Sequence, residues 1–380
     1  MAWKNIIGQQ RVKKILQKAF NENRISHSYC FWGDEGIGKE AVAIEFAKLL
    51  NCKNPKINQN SAEACDECSS CQKANILQHP NIEFIFSLPT GKSIENLNNP
   101  EGKDDEELIE NIRNEMKLKA QDLYHKISLP NASQIRINSI RELKKKLSLS
   151  QIQSGRRCII VFDAEEMTTE ASNAFLKSLE EPNPDITFIL VSSRRQAMLS
   201  TILSRCQKLK FDPISDNDMI ETLCSRYNQN LEEARLITQF ARGSLTQAID
   251  YLDSGMKAMR ESVVKVLRLA LKKRNFRNEL YEHIESLIKA NDKHFIEIFI
   301  YLIILWFRDA FTTFQTRSTK NVINLDHIET VNSFAQNFGA KNIVECIEVA
   351  EKHFSQIRKN VQPQLIIMSL LLNIRKILLD

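Results

Sequence analysis

The sequence predicts an α/β domain built on a parallel sheet around a phosphate-binding loop, then a small helical domain and an all-helical C-terminal domain. Three observations carry that prediction. Short, wholly apolar runs, Cys158-Ile-Ile-Val-Phe162 and Ile186-Thr-Phe-Ile-Leu-Val191, alternate with helical stretches, as strands buried on both faces do. A glycine-rich turn, Gly33-Asp-Glu-Gly-Ile-Gly-Lys39, lies between a strand-like and a helix-like segment. Beyond Phe211-Asp-Pro213 no further strand pattern occurs and helical spacing takes over.

The elements follow in order. Ile6, Ile7, Val12, Ile15, Leu16 and Ala19 recur at helical spacing over residues 5–20. Ser28-Tyr-Cys-Phe-Trp reads as a buried strand, and Ala41 to Leu50 as a helix directly after the glycine loop. Four cysteines crowd residues 52–71, and residues 83–88 look like another strand. From 90 to about 121 the chain turns polar, with Asn96 to Asn99 and Asp104 to Glu107, which predicts a surface excursion. Ile140 to Leu149 is a helix, and the strand 158–162 ends in Asp163. Glu170 to Leu179 is a helix stopped by Pro182. Short helices fill 215–253 and longer ones 257–380, which gives domains at 1–211, 212–255 and 256–380.

Composition narrows the functional classes. A chain of 380 residues suits two or three domains. Its 52 Lys+Arg against 47 Asp+Glu leave +5, which excludes a histone-like polycation and permits a local basic groove. With 43% hydrophobic residues, 10 Gly and 9 Pro, disorder throughout, collagen and a disulfide-stapled miniprotein are excluded. The opening residues hold no apolar core of signal-peptide length, and the longest apolar run, Ile298 to Phe307, is too short to span a bilayer. A cytoplasmic protein with no membrane partner is expected. Nine cysteines in a reducing compartment point to metal before disulfides.

The loop Gly33-x4-Gly38-Lys39 matches a Walker A pattern until its last position. Gly33, Gly36 and Gly38 let backbone N–H groups face phosphate, and Lys39 supplies a cation. Next should come a Ser or Thr hydroxyl that ligates magnesium; here Glu40 stands there. A carboxylate ~4 Å from a phosphate charge, at an effective dielectric near 20, costs roughly 4 kcal/mol. Asp163 occupies the position of a Walker B aspartate, but Ala164 follows it where an ATPase keeps Glu, and Glu165 and Glu166 arrive one and two residues late. ATP or ADP binding stays open on these residues, whereas hydrolysis is not expected.

Cys52-x12-Cys65-x2-Cys68-x2-Cys71 offers four thiolates to one tetrahedral ion. An iron–sulfur cluster would place its fourth Cys after the triplet and before Pro, so a closed structural zinc site is the better reading. Cys30, Cys158, Cys206, Cys224 and Cys346 read as core residues.

Together these motifs resemble the bacterial DNA polymerase III clamp-loader subunits, an AAA+ family. The resemblance rests on Arg24-Ile-Ser-His-Ser-Tyr-Cys-Phe-Trp-Gly33, on Asn173-Ala-Phe-Leu-Lys-Ser-Leu-Glu-Glu-Pro182, on Ser204-Arg205-Cys206, and on Gly243-Ser-Leu-Thr-Gln-Ala248. The four-cysteine module followed by His79-Pro80-Asn81 adds to it, and the match covers about residues 5–253. It implies an AAA+ P-loop domain with an inserted zinc module, a helical lid, and a C-terminal collar containing stripes such as Leu365-Ile-Ile-Met-Ser-Leu-Leu-Leu372. Hydrolysing gamma/tau subunits keep Lys-Thr, Asp-Glu and a lid arginine; this chain has Lys39-Glu40, Asp163-Ala164 and Thr246. Those departures resemble the delta-prime branch of the family. They imply a subunit that does not hydrolyse ATP but lends Arg205 in trans to a neighbouring ATPase, with gamma/tau and delta subunits, the sliding clamp and primer–template DNA as partners. Ser192 and Ser193 stand where the family has its sensor-1 residue. The alternative is an active gamma/tau-type ATPase that tolerates Glu40. Arg136, Arg141, Lys144, Lys145 and Lys146 are candidates for a groove over duplex phosphates, set against an ordinary solvated helix face.

Overall fold

Strand pairing follows the apolar runs. The computed structural model describes residues 3–58, 61–90, 92, 103–148, 155–180, 185–253, 256–289, 293–319, 322–324, 327–357 and 362–379. They pack as two units, Met1–Ala248 and Ile249–Asp380.

The first unit opens with α1 (Gln10–Asn21), β1 (Ser28–Trp32), α2 (Lys39–Leu50), β2 (Lys56–Asn58), β3 (Ser61–Glu63), α3 (Ser69–Asn75), β4 (Ile82–Ile85) and β5 (Leu88–Pro89). It continues through α4 (Lys103–Gln121), β6 (Ala132–Gln134), α5 (Ile137–Ser148), β7 (Arg157–Val161), α6 (Thr169–Glu180), β8 (Ile186–Ser192), α7 (Ser200–Leu203) and β9 (Gln207–Lys210). Two helices follow, α8 (Asp216–Arg226) and α9 (Leu231–Ala241), and then α10 (Leu245–Asp253), within which the unit ends at Ala248.

The main sheet has the order β4-β7-β8-β1-β9, and every pair is parallel. Such a sheet needs cover on both faces. Cys30, Phe188 and Leu190 pack with Phe175 and Ile202 in one buried cluster. Their strand neighbours Tyr29 and Phe31 alternate to the other face, where the Tyr29 ring lies 5.6 Å from Phe46 and the Phe31 ring 5.2 Å from Phe211. Each such ring, fully buried, contributes on the order of 2–3 kcal/mol. Because β1 lies between β8 and β9, with β7 beyond β8, the segments after β1, β7 and β8 all open at the carboxyl edge of the sheet. That edge is where parallel sheets form their ligand crevices.

One expectation needs correction, and two elements add to the reading. The first helix begins at Gln10, not at residue 5, because Gly8 (φ 60°) and Gln9 (φ 57°) take left-handed conformations that interrupt it. Strand β9 was not foreseen: in Gln-Lys-Leu-Lys only Leu209 is apolar, as suits an edge strand half in solvent. The polar stretch expected as a surface excursion contains the 19-residue helix α4, which is largely exposed or half-buried but buries Asp105, Leu108 and, near its C-terminal end, Lys119. Asn96–Asn99 and Pro182 lie outside the described residues.

The second unit comprises α11 (Met256–Ala270), α12 (Phe276–Lys289), α13 (Lys293–Thr316), α14 (Ile328–Phe338), α15 (Ile343–Ile357) and α16 (Pro363–Leu379). The apolar run at 298–307 lies in α13 and is buried throughout apart from half-buried Tyr301. Among the described residues no helix is long and apolar enough to cross a membrane. In α16, Ile366, Ile367, Leu370 and Leu371 are core, while Leu365 and Leu372 are exposed.

Asp309, 2% exposed, accepts hydrogen bonds from the backbone N–H groups of Ile323 (3.0 Å) and Asn324 (2.8 Å) and from the Asn324 amide (2.7 Å). Burial pushes its carboxyl pKa up, against the pull of those donors. Removing the carboxylate strands buried donors, so Asp309→Ala is expected to cost about 1–3 kcal/mol. Amide hydrogen exchange at Ile323 and Asn324 should accelerate accordingly; unchanged protection there would refute this role.

Candidate functional site

The glycine loop leaves β1 at Gly33 and enters α2 at Lys39. Gly36 (φ 74°) and Gly38 (φ 93°) hold left-handed conformations that a side chain would strain, so the loop has the backbone of a phosphate cradle. Its lysine is otherwise engaged. The Lys39 ammonium, on a residue only 5% exposed, donates to the carbonyls of Gly33 (2.8 Å) and Asp34 and to Ser193 Oγ (3.2 Å). Burial lowers its pKa, opposed by Glu40, Asp163, Glu165 and Glu35.

Glu40, in the first turn of α2, is ion-paired with Lys119 from the far end of α4. The Lys119 side chain is 1% exposed; its ammonium also donates to the His125 carbonyl at 2.5 Å and lies 5.5 Å from the centre of the Phe162 ring. Lys126 reaches Glu35 of the loop at 2.6 Å. Burial alone would lower the Lys126 pKa, yet Glu35, Asp163 and Glu40 together push it up.

Between these two lysines stands Tyr124. Its hydroxyl oxygen accepts the Ile7 N–H (2.9 Å), its carbonyl accepts the Thr246 hydroxyl (3.3 Å), and a Cβ added to Gly38 would lie 3.0 Å from its Oη. On the other side of the loop, Ser244 and Thr246 crowd Gly36, and the Leu245 N–H donates to the Gly36 carbonyl (2.9 Å). The cavity left at the loop is about 30 Å³. An adjoining hollow of about 260 Å³, lined by Phe86, Ser128, Phe162 and Glu166, shares Glu40, Lys126 and Asp163 with it but reaches no loop glycine.

Asp163 leaves β7 in a left-handed conformation (φ 45°) and is half-buried. Burial, reinforced by Glu40, Glu165 and Glu35 and opposed by Lys126, pushes its carboxyl up to about 6. The late carboxylate Glu165 is committed elsewhere: one oxygen accepts the backbone N–H groups of Ser193 and Arg194, both at 2.9 Å. It braces the end of β8, and buried Ala164 precedes it.

The four cysteines converge. Their sulfurs all lie within 4.8 Å of one another, with Cys65 Sγ 3.9 Å from Cys71 Sγ. A tetrahedral ion with bonds of ~2.3 Å needs sulfurs roughly 3.8 Å apart, so the set fits zinc. Backbone N–H groups of Cys65, Cys68 and Cys71 donate to the sulfurs of Cys52, Cys65 and Cys68. Although burial raises the Cys68 thiol, the backbone of Cys71 and Lys53 and the Cys71 and Cys65 thiols outweigh it and bring the pKa to about 6, towards the thiolate a metal takes, whereas burial pushes the Cys52 and Cys71 thiols up. Lys48 of α2, with its side chain 1% exposed, bridges Asp66 (2.5 Å) and Glu45 (2.8 Å), which fastens the module to the helix that starts at the loop. His79 accepts the Asn81 N–H at Nδ1 (3.1 Å), so its Nε2 carries the proton and faces Ser70 Oγ (2.7 Å). The Ser70 hydroxyl donates to the Asn51 carbonyl (2.6 Å).

Arg205 lies apart from the loop cavity. Ser28 Oγ donates to its carbonyl (2.6 Å), and its 35%-exposed guanidinium donates to the Thr201 carbonyl (2.9 Å) and Glu180 (2.8 Å). Of the basic residues suggested for a groove, Arg136 donates to Thr90 Oγ1 and Lys146 faces Glu83. Near the end of β1, Trp32 lies beneath the Arg195 guanidinium (4.8 Å) and the Lys210 ammonium (5.6 Å).

A family profile described as DNA polymerase III, delta subunit, matches residues 8–215, more than half of the chain. A second, described as DNA polymerase III, delta subunit, C terminal, matches 254–376. The chain belongs to the DNA polymerase III delta subunit family. Within that setting it is 28% identical over 270 residues to the DNA polymerase III subunit delta' of Bacillus subtilis, covering 71% of this chain and 66% of the relative. It is 26% identical over 255 residues to the subunit tau of the same organism, covering 67% of this chain and 36% of the relative. Thus the chain spans just under two thirds of the first relative and about a third of the second. A gamma subunit-related protein of Thermotoga maritima aligns over 97% of this chain and 98% of its own with a TM-score of 0.42 and 16% identity.

In this family member, Gly36, Gly38, Lys39, Glu40 and Asp163 line one cavity, and the four cysteines form one cluster. Sequence reasoning missed Lys119, Tyr124 and Lys126, which come from far along the chain, and Glu180, the partner of Arg205. Only the lone aromatic in the polar run Asp122-Leu-Tyr-His-Lys126 could have drawn notice.

The raised Asp163 pKa sets a pH dependence. Because its folded value of about 6 exceeds the unfolded value near 3.9, the folded state takes up the proton first. The contribution of Asp163 to stability therefore falls as pH rises through about 6. Asp163→Asn should melt above the parent at pH 8, with the gap closing towards pH 5. A gap that widens on acidification would contradict this.

Proposed function

We propose that this chain is a non-hydrolysing, delta-prime-type subunit of the DNA polymerase III clamp loader. The observation that carries the reading is the carboxylate of Glu40, paired with Lys119, at the position where a hydrolase places its magnesium-binding alcohol. Two further features support it: Glu165 follows Asp163 one residue late and holds one oxygen on the backbone N–H groups of Ser193 and Arg194, and Thr246 supplies no lid cation. On this reading the subunit acts through assembly in the cytoplasm with gamma/tau and delta subunits. It places Arg205 at a neighbour's nucleotide and helps load the sliding clamp onto primer–template DNA. The half-exposed guanidinium, held by Thr201 and Glu180 and free of the chain's own loop cavity, supports that role. Residues 212–255 would serve as lid and 256–380 as collar. Cys52, Cys65, Cys68 and Cys71 would hold a structural zinc, with no open position for chemistry.

An arginine supplied in trans is worth ~10³–10⁵ at the site it serves. Arg205→Ala should therefore leave assembly with gamma/tau and delta intact and lower ATP turnover by the reconstituted complex, while the isolated parent chain turns over no ATP. Full turnover by the mutant complex would remove the role; hydrolysis by the isolated chain that is abolished by Lys39→Ala would favour the gamma/tau-type alternative.

Elemental analysis should find one zinc per chain, lost in Cys68→Ser. An iron-containing, coloured preparation would overturn the assignment.

A further inference from the structure

We propose that helix α4 and the turn after it, through Lys126, form a built-in plug of the phosphate loop: an intramolecular ligand that occupies the place of a nucleotide and excludes it. The inference rests on the reading of Gly33–Lys39 as a phosphate loop, and it gives the polar excursion a job.

Space is the first argument. Tyr124 joins three parts of the unit that surround the loop: Ile7 through its hydroxyl, Gly38 through its ring, and Thr246 through its carbonyl. The remaining cavity of about 30 Å³ holds a water, whereas small-molecule sites run to ~300–1,000 Å³.

Charge is the second. A nucleotide polyphosphate would bring anions to this loop, but the cations are already assigned. Lys119 faces Glu40 and Lys126 faces Glu35, both lysines supplied by the plug, and Lys39 spends its donors on Gly33, Asp34 and Ser193. Glu40 is thus the socket for Lys119 as well as the loss of a metal ligand. An ammonium so deeply buried needs that carboxylate, and a triphosphate entering beside Glu40 would have to displace it.

Bracing is the third. The turn is held by its own contacts: Asp122 Oδ1 accepts the Tyr124 N–H (2.9 Å), and Glu115 of α4 accepts the Ser128 N–H (2.8 Å) and faces His125 Nε2 (3.0 Å). Tyr124 and Lys119 are therefore presented in fixed positions and not left to swing clear of the loop.

The test is a titration of the full chain with fluorescent ADP and magnesium. The parent and Tyr124→Phe, which keeps the ring, should show no saturable binding. The opened variant Tyr124→Ala/Lys119→Ala/Glu40→Thr should bind at least tenfold more tightly than the parent, and adding Lys39→Ala should abolish the gain. Circular dichroism and retained metal content check its folding. Binding by the parent equal to that of the opened variant would overturn the plug. So would a folded opened variant that gains nothing, or a gain that survives Lys39→Ala. Should the opened variant fail to fold, hydrogen exchange on the parent decides: amides of Gly33–Lys39 unprotected by excess magnesium-ADP support the plug, and protection overturns it. Parent binding without turnover would sink the plug and leave the non-hydrolysing reading standing, so the two failures are distinguishable.

Discussion

At Lys119 an ammonium has almost no solvent, and the carboxylate that answers it, Glu40, sits in the first turn of α2. Leaving either charge unpaired in such a place costs on the order of 3–5 kcal/mol. The pair therefore decides which segments must lie together: α4 has to end beneath the glycine loop, and the turn behind it has to cross the loop's mouth. A helix N-terminus also welcomes an anion, through free N–H groups and the helix dipole. In a phosphate-binding loop a ligand meets that demand; here Glu40, a carboxylate in the first turn of α2, answers the dipole's part of it. The neighbouring acids Glu35 and Asp163 then require Lys126, and the loop's own lysine turns inward onto its carbonyls.

A second buried cation plays a comparable part at the other end of α2. Lys48 gathers Glu45 and Asp66, and Asp66 lies between Cys65 and Cys68 of the cysteine cluster. The cysteine module is thus tied to the same helix that begins at the phosphate loop. The chain His79–Ser70–Asn51 extends the tie towards the sheet through neutral hydrogen bonds with a defined imidazole tautomer. Both ends of α2 are held by polar pairs in water-poor surroundings, where partner geometry matters more than in solvent.

Much of this could be read from local pattern. Strands 158–162 and 186–191 announced themselves because a strand covered on both faces has no polar side to show. The Cys-x2-Cys-x2-Cys spacing announced the cysteine cluster because thiolates able to bite one ion must be near in sequence or closed by a short loop. By contrast, β9 was invisible, since an edge strand with one buried residue in four looks like a polar turn. Helix α4 lies in a stretch whose charged residues dominate the pattern, and nothing local singles out the buried Lys119 from the exposed lysine two residues before it.

The sequence alone determined the loop, its altered fortieth residue, the misplaced acids after Asp163, the cysteine quartet and Ser204-Arg205-Cys206, because each is a short-range pattern in which chemistry dictates spacing. Tertiary structure alone decided what Glu40 does. A lone carboxylate in a list of residues reads as a defect, and only the fold, by bringing Lys119 and Tyr124 from some eighty residues away, turns it into an anchor. The reason is that charge pairing acts through distance in space, and the distance from residue 40 to residue 119 is set by the whole sheet and its covering helices, not by anything local to either.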